Sequence, residues 1–350
     1  MNMTPVTIFF GATLVILTVI IANVILPPQI FRPEPSANAR PYTKLELEGR
    51  QLYIENGCVY CHTQCTRPMD WGNGSGQASQ PGDYAYDSPH LLGQHRNGPD
   101  LSHEAGYHTD DWQWAHLQDP RFVRPQSFMP SFSFIKGQQR VALIAYLQCL
   151  GGKQGVARAQ EQAALKPKLI AYYEKGPAAN VAYLNSTMPK AWFDIPNPEP
   201  VDEGSIERGR DVYVAYCVGC HGGHGDGRGS ARPYLNPPPM DFTLLQASAA
   251  NPEGGQKGYH YNYSANRVSR LNNGIIYYAV LYGIPGSAMP AFKGQLESEK
   301  IWDVGDYIGW AFMGWKKQPY TGKYDELAKA FSGPQTGTAL DKPLSLAKAS

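Results

Sequence analysis

The chain lacks an excess of charge of either sign. Its 350 residues include 31 basic and 30 acidic side chains, which leave a formal net charge of +1. A nucleic-acid-binding protein usually carries a basic patch large enough to shift this total, so the composition indicates no nucleic-acid partner. Tyrosine, glycine and proline are plentiful instead, with 22, 36 and 29 residues. Such a mixture favours loop-rich domains that wrap around a flat apolar group.

Charge is missing altogether from one N-terminal segment. Residues 6–26 (VTIFFGATLVILTVIIANVIL) contain no Asp, Glu, Lys or Arg, and about 20 apolar residues suffice to cross a bilayer. A cleaved signal peptide would start with basic residues and end at a small-residue cleavage site. This run instead follows MNMTP and ends at Pro27 and Pro28. The segment is therefore predicted to be an uncleaved transmembrane helix.

Cysteine is scarce, with only six residues. A structural zinc site or an iron–sulfur cluster needs four ligands. The three cysteines of CVYCHTQC (58–65) could begin such a set, but the only other cysteine before residue 217 is Cys149. A second group, CVGCH (217–221), has no third cysteine. The shortage disfavours both kinds of metal centre.

Both groups contain CxxCH, the pattern of covalent haem c attachment. Its two thiols add to the porphyrin vinyl groups and its histidine becomes an axial ligand of the iron. The predicted attachment residues are Cys58, Cys61 and His62 in the first motif and Cys217, Cys220 and His221 in the second. The sequence therefore predicts two covalently bound haems c.

The surroundings of the two motifs are also repeated. Amphipathic helices are predicted over 45–57 and 204–216, directly before the motifs, and closing helices over 137–150 and 297–315. A Met-Pro pair precedes each closing helix. Met129 follows His62 at nearly the same distance as Met289 follows His221. The repetition indicates an internal duplication of one domain architecture.

Met129 and Met289 are the predicted sixth ligands of the two irons. Met69 lies too close to His62 in the chain to reach the opposite haem face. Met240 lies in a proline cluster, and Met313 lies in an apolar helical run that favours a position in the core. Histidine could replace either methionine; the candidates are His90, His95, His103, His108, His116, His224 and His260. The haem ligands His62 and His221 need a carbonyl partner for the second ring nitrogen. The sequence predicts the carbonyl of Pro99 for the first and one of residues 237–239 for the second. Candidate partners of the haem propionates are Arg67, Arg96 and Arg124.

An all-α chain is predicted, with an N-terminal transmembrane helix followed by two class I cytochrome c domains. The predicted segments are an anchor (1–28), a tether (29–46), cytochrome domain 1 (47–150), a linker (151–203) whose helix is interrupted at Pro167, cytochrome domain 2 (204–320) and a C-terminal extension (321–350). Two thiols, Cys65 and Cys149, remain outside the motifs. Since such haems are attached in an oxidising compartment, these thiols could form a disulfide or stay buried and free.

The first domain resembles the membrane-anchored mono-haem cytochrome c subunit of cbb3-type haem–copper oxidases. The resemblance is carried by GRQLYIENGCVYCHTQ (49–64), RNGPDL (96–101) and DDWQWAHLQDPRFVRPQSFMP (110–130). The second domain, with CVGCHGGHGDGRG (217–229) and GIPGSAMPAF (283–292), is similar to class I cytochromes c in general. The family subunit carries one haem, so the second domain is a departure from its pattern.

The resemblance implies an electron-transfer subunit that has no catalytic residues of its own. Its implied partners are a polytopic haem–copper catalytic subunit and a soluble donor, either cytochrome c or a cupredoxin. The implied location is the bacterial inner membrane, with the haem domains on the periplasmic face; Arg32, Arg40 and Lys44 after the anchor weakly favour the opposite orientation. Oxygen or nitric oxide could be the terminal acceptor. The alternatives are a diheme shuttle for a periplasmic dehydrogenase and a diheme peroxidase, which two methionine ligands disfavour.

Overall fold

The computed structural model describes residues 4–30, 33–73, 77–93, 95–189, 197–198, 201–245 and 273–313. The described residues form helices and no β-strand, so the all-α prediction is confirmed. The α-helices are α1 (Pro5–Ile20), α2 (Leu26–Ile30), α3 (Lys44–Glu55), α4 (Asp110–Gln118), α5 (Gly137–Leu147), α6 (Gly152–Glu174), α7 (Pro177–Thr187), α8 (Glu203–Tyr216), α9 (Val218–His221), α10 (Asn273–Tyr282) and α11 (Ser298–Phe312). Short 3-10 turns lie at Cys58–Tyr60, Pro68–Asn73, Pro81–Tyr84, Pro120–Phe122, Arg232–Tyr234 and Phe242–Leu245. The predicted C-terminal extension lies outside the described residues.

The N-terminal helix has the length and composition of a membrane span. Helix α1 passes through a π-turn (Ile21–Ile25) into α2, and Thr4 caps its first turn. None of the side chains of α1 is buried against the rest of the protein. In the part of the chain that the structure describes, Pro5–Ile25 is the one helix apolar and long enough to cross a membrane. The helix continues through Pro27 to Ile30, slightly beyond the predicted end of the anchor.

The two cytochrome domains are built on the same helix crossing. Helix α3 packs across α5, and α8 packs across α11. A Cβ atom on Gly49 would lie 1.9 Å from the carbonyl oxygen of Ala142, and one on Gly209 would lie 2.0 Å from that of Asp303. Only glycine allows the backbones to approach so closely. The duplication seen in the sequence therefore extends to the packing of the helices.

Aromatic pairs follow each glycine by one helical turn. The rings of Tyr53 and Tyr146 lie 5.4 Å apart between centroids, and those of Tyr213 and Tyr307 also lie 5.4 Å apart. All four are almost fully buried, and edge or tilted ring contacts of this kind add about 0.5–1.5 kcal/mol beyond area burial. The crossings thus form the centre of each domain core.

The predicted linker packs against both domains. Helix α6 continues through Pro167, so the predicted interruption is wrong. A proline inside a helix removes one backbone hydrogen bond, and tertiary contacts hold this helix in place despite that loss. Arg158 donates to the carbonyl of Ala105, 3.0 Å away, and Gln162 accepts from the backbone N–H of Gly286, 2.5 Å away. The predicted tether is packed as well, since Asn38 donates to the carbonyl of Gly151 at 2.9 Å.

An apolar cluster joins the two domains. Its buried members from the first domain are Trp112, Ala115 and Val123, and those from the second are Ala231, Leu235 and Ala288. Phe122, Tyr234 and Cys220 of the second attachment motif pack around it. The two predicted haem domains therefore share a buried interface.

Candidate haem sites

The first CxxCH motif lies in a tight turn at the end of α3. Gly57, with φ of +71°, redirects the chain at the end of the helix, a conformation that favours glycine. The 3-10 turn Cys58–Tyr60 follows, and the backbone N–H of His62 donates to the carbonyl of Cys58 at 3.0 Å. The turn thus holds both thiols and the imidazole of one motif close together.

His62 is oriented by the RNGPDL loop. Its Nδ1 lies 2.9 Å from the carbonyl oxygen of Pro99, as the sequence predicts. Burial lowers the pKa of His62, so the ring is neutral at pH 7 and Nδ1–H can donate while Nε2 keeps its lone pair for a metal. A Cβ atom on Gly98 would lie 2.3 Å from Cε1 of the ring. The loop therefore needs glycine at this position to leave space for the imidazole.

His221 is held in the same way in the second domain. Its Nδ1 lies 3.1 Å from the carbonyl oxygen of Met240, and its ring stacks on Phe242 with centroids 4.6 Å apart. Burial lowers the pKa of His221 to about 4. The predicted carbonyl, from residues 237–239, is wrong by one position, since the carbonyl that lies against the ring belongs to the residue directly after the prolines.

Burial favours the protonated form of three of the four motif thiols. Burial raises the pKa of Cys58 to about 11 and those of Cys217 and Cys220 to about 12. Among the described residues, no group of three or more His, Cys, Asp or Glu side chains is arranged to hold a metal ion.

The structure distinguishes among the candidate methionine ligands. Met69 is 77% exposed, and Met313 is buried in the core of the second domain. Met240 contacts the ring of His221 through its backbone carbonyl and therefore lies on the same side of the site as that histidine. Met129 and Met289 occupy equivalent turns. The backbone N–H of Met129 donates to Ser127 Oγ at 3.2 Å, and that of Met289 donates to Ser287 Oγ at 3.0 Å. This shared Ser-x-Met-Pro turn supports their predicted equivalence.

A cavity of about 1780 Å³ joins the components of the first site. It contains both thiols of the first motif, His62 and Met129, and apolar side chains form much of its wall: Leu101, Leu117, Phe132, Leu143 and Leu147. Small-molecule pockets are usually about 300–1,000 Å³, so this space is large enough for a bulky flat cofactor. The thiols, the imidazole and the thioether in one apolar cavity fit a haem.

His116 contacts the predicted methionine ligand of the first site, although the sequence did not distinguish it from the other histidines. Its Nε2 lies 3.1 Å from Met129 Sδ, and its ring stacks on Trp112 with centroids 4.6 Å apart. Burial lowers the pKa of His116 to about 3, so it is neutral. The signal available in the sequence was the spacing of four residues between His108, Trp112 and His116, which places their rings on one side of α4 and of the turn before it. His103 and His108 also line the cavity, whereas His260 lies outside the described residues.

The three candidate propionate partners have different surroundings. Arg67 pairs with Asp70 at 3.2 Å, and Arg96 lies 2.8 Å from Asp70 and 3.3 Å from Asp100. Arg124 stacks over aromatic rings instead. The charges of Arg67 and Arg96 are thus already offset within the protein.

Cys65 and Cys149 are both free thiols in this structure. Arg96 donates to the carbonyl of Cys65 at 2.7 Å, and Cys149 belongs to the buried core of the first domain. Burial raises the pKa of Cys149, which makes that thiol unreactive. A disulfide between them remains a prediction.

Comparison with known families assigns both halves of the chain. Residues 2–140 match the family model of the mono-heme cytochrome c oxidase subunit FixO, and residues 204–308 match that of subunit III of cbb3-type cytochrome c oxidase. The two matched segments cover the two predicted cytochrome domains. No curated protein matches the chain. The second match is more specific than the resemblance of this domain to class I cytochromes c in general, since it names an oxidase subunit.

The two family matches indicate a coarse function. Both matched families are subunits of cytochrome c oxidases, which indicates a cytochrome c electron-transfer subunit and implies covalently bound haem c and association with a haem–copper catalytic subunit in a membrane complex. The apolar helix Pro5–Ile25 agrees with a single membrane-spanning segment.

Proposed function

We propose that this chain is a diheme electron-transfer subunit of a membrane haem–copper oxidoreductase. The observation that carries the proposal is the repeated arrangement: a CxxCH turn, a histidine whose Nδ1 lies against a backbone carbonyl, and a Ser-x-Met-Pro turn. The family matches favour an oxygen reductase over the related nitric oxide reductases.

The two CxxCH motifs and the two Met-Pro pairs contain the residues that would hold the haems. Cys58 and Cys61 would attach the first haem, with His62 and Met129 as axial ligands; Cys217 and Cys220 would attach the second, with His221 and Met289. When bound, each haem iron would supply one-electron redox chemistry. The chain's own part is to orient the imidazoles through carbonyl contacts and to exclude water with apolar walls.

The order of the domains suggests which partner each one meets. The anchor and its short tether lead into the first cytochrome domain (47–150), so we place this domain against the catalytic subunit. The second domain (204–320) would receive electrons from a soluble cytochrome c or cupredoxin. Since thioether haems are attached outside the bacterial cytoplasm, we place both domains on the periplasmic face of the inner membrane.

The haem count tests this function directly. Denatured full-length protein is expected to show two haems per chain in a pyridine haemochrome assay, because both motifs are complete. The protein should be expressed with the cytochrome c maturation machinery, and protein concentration should be measured by amino-acid analysis. One haem per chain, or none, would contradict the proposal.

Replacing Met129 or Met289 by histidine is expected to lower the reduction potential of one haem and leave the other unchanged. A thioether ligand favours the reduced iron more than an imidazole does. Potentiometric titration followed by optical spectroscopy measures both potentials. Met69→His is the matched control, because Met69 is exposed and should not reach an iron. Unchanged potentials in Met129→His or Met289→His would refute the corresponding ligand assignment.

A further inference from the structure

The second attachment motif rests directly on a loop of the first domain. A Cβ atom on Gly219, within CVGCH, would lie 2.3 Å from the carbonyl oxygen of Phe122 and 3.2 Å from the Cα atom of Val123. The side chain of Cys220 packs in the same apolar cluster as Phe122. The 3-10 turn Pro120–Phe122 is therefore in backbone contact with the second haem site.

The same loop reaches the first haem site. It leads within a few residues to Met129, and Arg121 Nη1 donates to the carbonyl oxygen of Met129 at 3.2 Å. The turn and the predicted methionine ligand are thus tied together. One short loop of the first domain touches both sites.

Arg124 lies in this loop, and its guanidinium contacts three residues of the second domain. The group lies 4.4 Å from the ring centroid of Tyr216 and 5.4 Å from that of Phe292, and Nη2 donates to Gln295 Oε1 at 2.9 Å. Tyr216 directly precedes Cys217 of the second motif. Arg124 also lines the cavity of the first site. The side chain therefore lies between the two sites, since it contacts the second domain and lines the cavity of the first site.

The charge of Arg124 is not offset by a carboxylate. Among the described residues, no Asp or Glu lies within ion-pairing distance of its guanidinium, whereas Arg121 pairs with Asp119 at 2.8 Å. Burial lowers the pKa of Arg124. Its guanidinium lies over the ring of Tyr216, next to Cys217, and it lines the cavity that also contains His62 and Met129. The charge of this one side chain therefore lies near both sites.

We infer that Arg124 is a positioning residue shared by the two sites: it locks the loop onto the second domain, and its charge raises the reduction potentials of both haems. The inference rests on the proposed diheme function. An oxidised haem carries one more positive charge than a reduced haem, so a nearby cation favours the reduced form. A charge in a partly buried, low-dielectric interface is screened less than a surface charge.

Potentiometric titration of the full-length Arg124→Gln protein tests this inference. Both potentials are expected to fall relative to the unaltered protein, because the variant keeps a polar group but loses the charge. Arg121→Gln is the matched control on the same loop. Asp119 already offsets the charge of Arg121, and the hydrogen bond of Arg121 goes to the carbonyl of Met129 in the first site. The control is therefore read on the second haem, whose potential this variant should leave unchanged.

Two further variants separate charge from packing. Gln295→Glu places a carboxylate beside Arg124 and should lower both potentials without removing the arginine. This variant still tests the inference if Arg124→Gln accumulates poorly. Arg124→Lys keeps the charge but loses the planar stacking group. It should keep both potentials close to those of the unaltered protein and reduce the thermal stability of the chain.

The results distinguish this inference from the proposed function. If both Arg124→Gln and Gln295→Glu retain two haems but shift only one potential, or neither, the shared role of Arg124 is overturned and the diheme function stands. If the unaltered protein carries one haem, the proposed function itself is overturned.

Discussion

Gly209→Ala is expected to destabilise the second cytochrome domain by about 3 kcal/mol, the upper part of the range for overpacked cores. The new Cβ atom would lie 2.0 Å from the carbonyl oxygen of Asp303, where helix α8 crosses α11. Backbone cannot move aside as a flexible side chain can, so the helices must separate and the Tyr213–Tyr307 contact must loosen. Denaturant unfolding followed by circular dichroism, with haem content checked first, measures the change.

Gly204→Ala is the matched control on the same helix. Its Cβ atom would meet only side-chain atoms, at 3.2 Å or more, and these can move. Helix propensity alone predicts that either alanine stabilises α8, by up to about 1 kcal/mol. A loss in Gly209→Ala and not in Gly204→Ala therefore reports the crossing itself. Equal stability of the two variants would show that the helices do not approach as closely as described. Gly49→Ala should act in the same way on the first domain, because its Cβ atom would lie 1.9 Å from the carbonyl oxygen of Ala142.

Replacing Cys217 and Cys220 together by alanine is expected to reduce the haem content from two per chain to one and to abolish most electron transfer from a soluble donor. Without thioether bonds the second haem is not retained, while the first motif is unchanged. The anchor and the first domain should still assemble with the catalytic subunit. Haem stoichiometry, purification of the complex through the catalytic subunit and donor oxidation rates measure the three effects separately.

Cys65→Ala is the corresponding control, because this thiol lies outside both motifs. It should retain two haems and the full rate of donor oxidation. If the Cys217 and Cys220 double variant oxidises the donor at the normal rate, electrons must enter at the first domain, and the proposed order of the two domains is wrong.

Local chemistry could be predicted from the sequence because it depends on neighbouring residues. A CxxCH motif brings two thiols and an imidazole into one turn wherever it folds, and the length and lack of charge of residues 6–26 suffice to predict a membrane span. The Pro99 carbonyl was also predictable, since the RNGPDL loop is a short motif in its own right. The repeated order of helix, motif and Met-Pro was sufficient to indicate two domains of one kind.

Contacts between distant segments required the tertiary structure. Nothing in the sequence around Pro167 shows that α6 packs on both domains, and tertiary contacts of that kind can outweigh the loss of a backbone hydrogen bond. The carbonyl that meets His221 belongs to Met240, one residue beyond the predicted prolines, because composition does not specify the backbone path of that segment. His116 was one candidate among several until α4 placed its ring against Met129.

The sequence by itself predicts the chemistry of each site, and the tertiary structure decides how the two sites are related. Covalent attachment depends on residues adjacent in the chain, so each motif could be recognised alone. The contact of Gly219 with Phe122, and of Arg124 with Tyr216, joins residues from different domains. Such contacts arise from the packing of two folded domains, whose mutual orientation is set by many weak apolar and polar contacts and not by a local pattern.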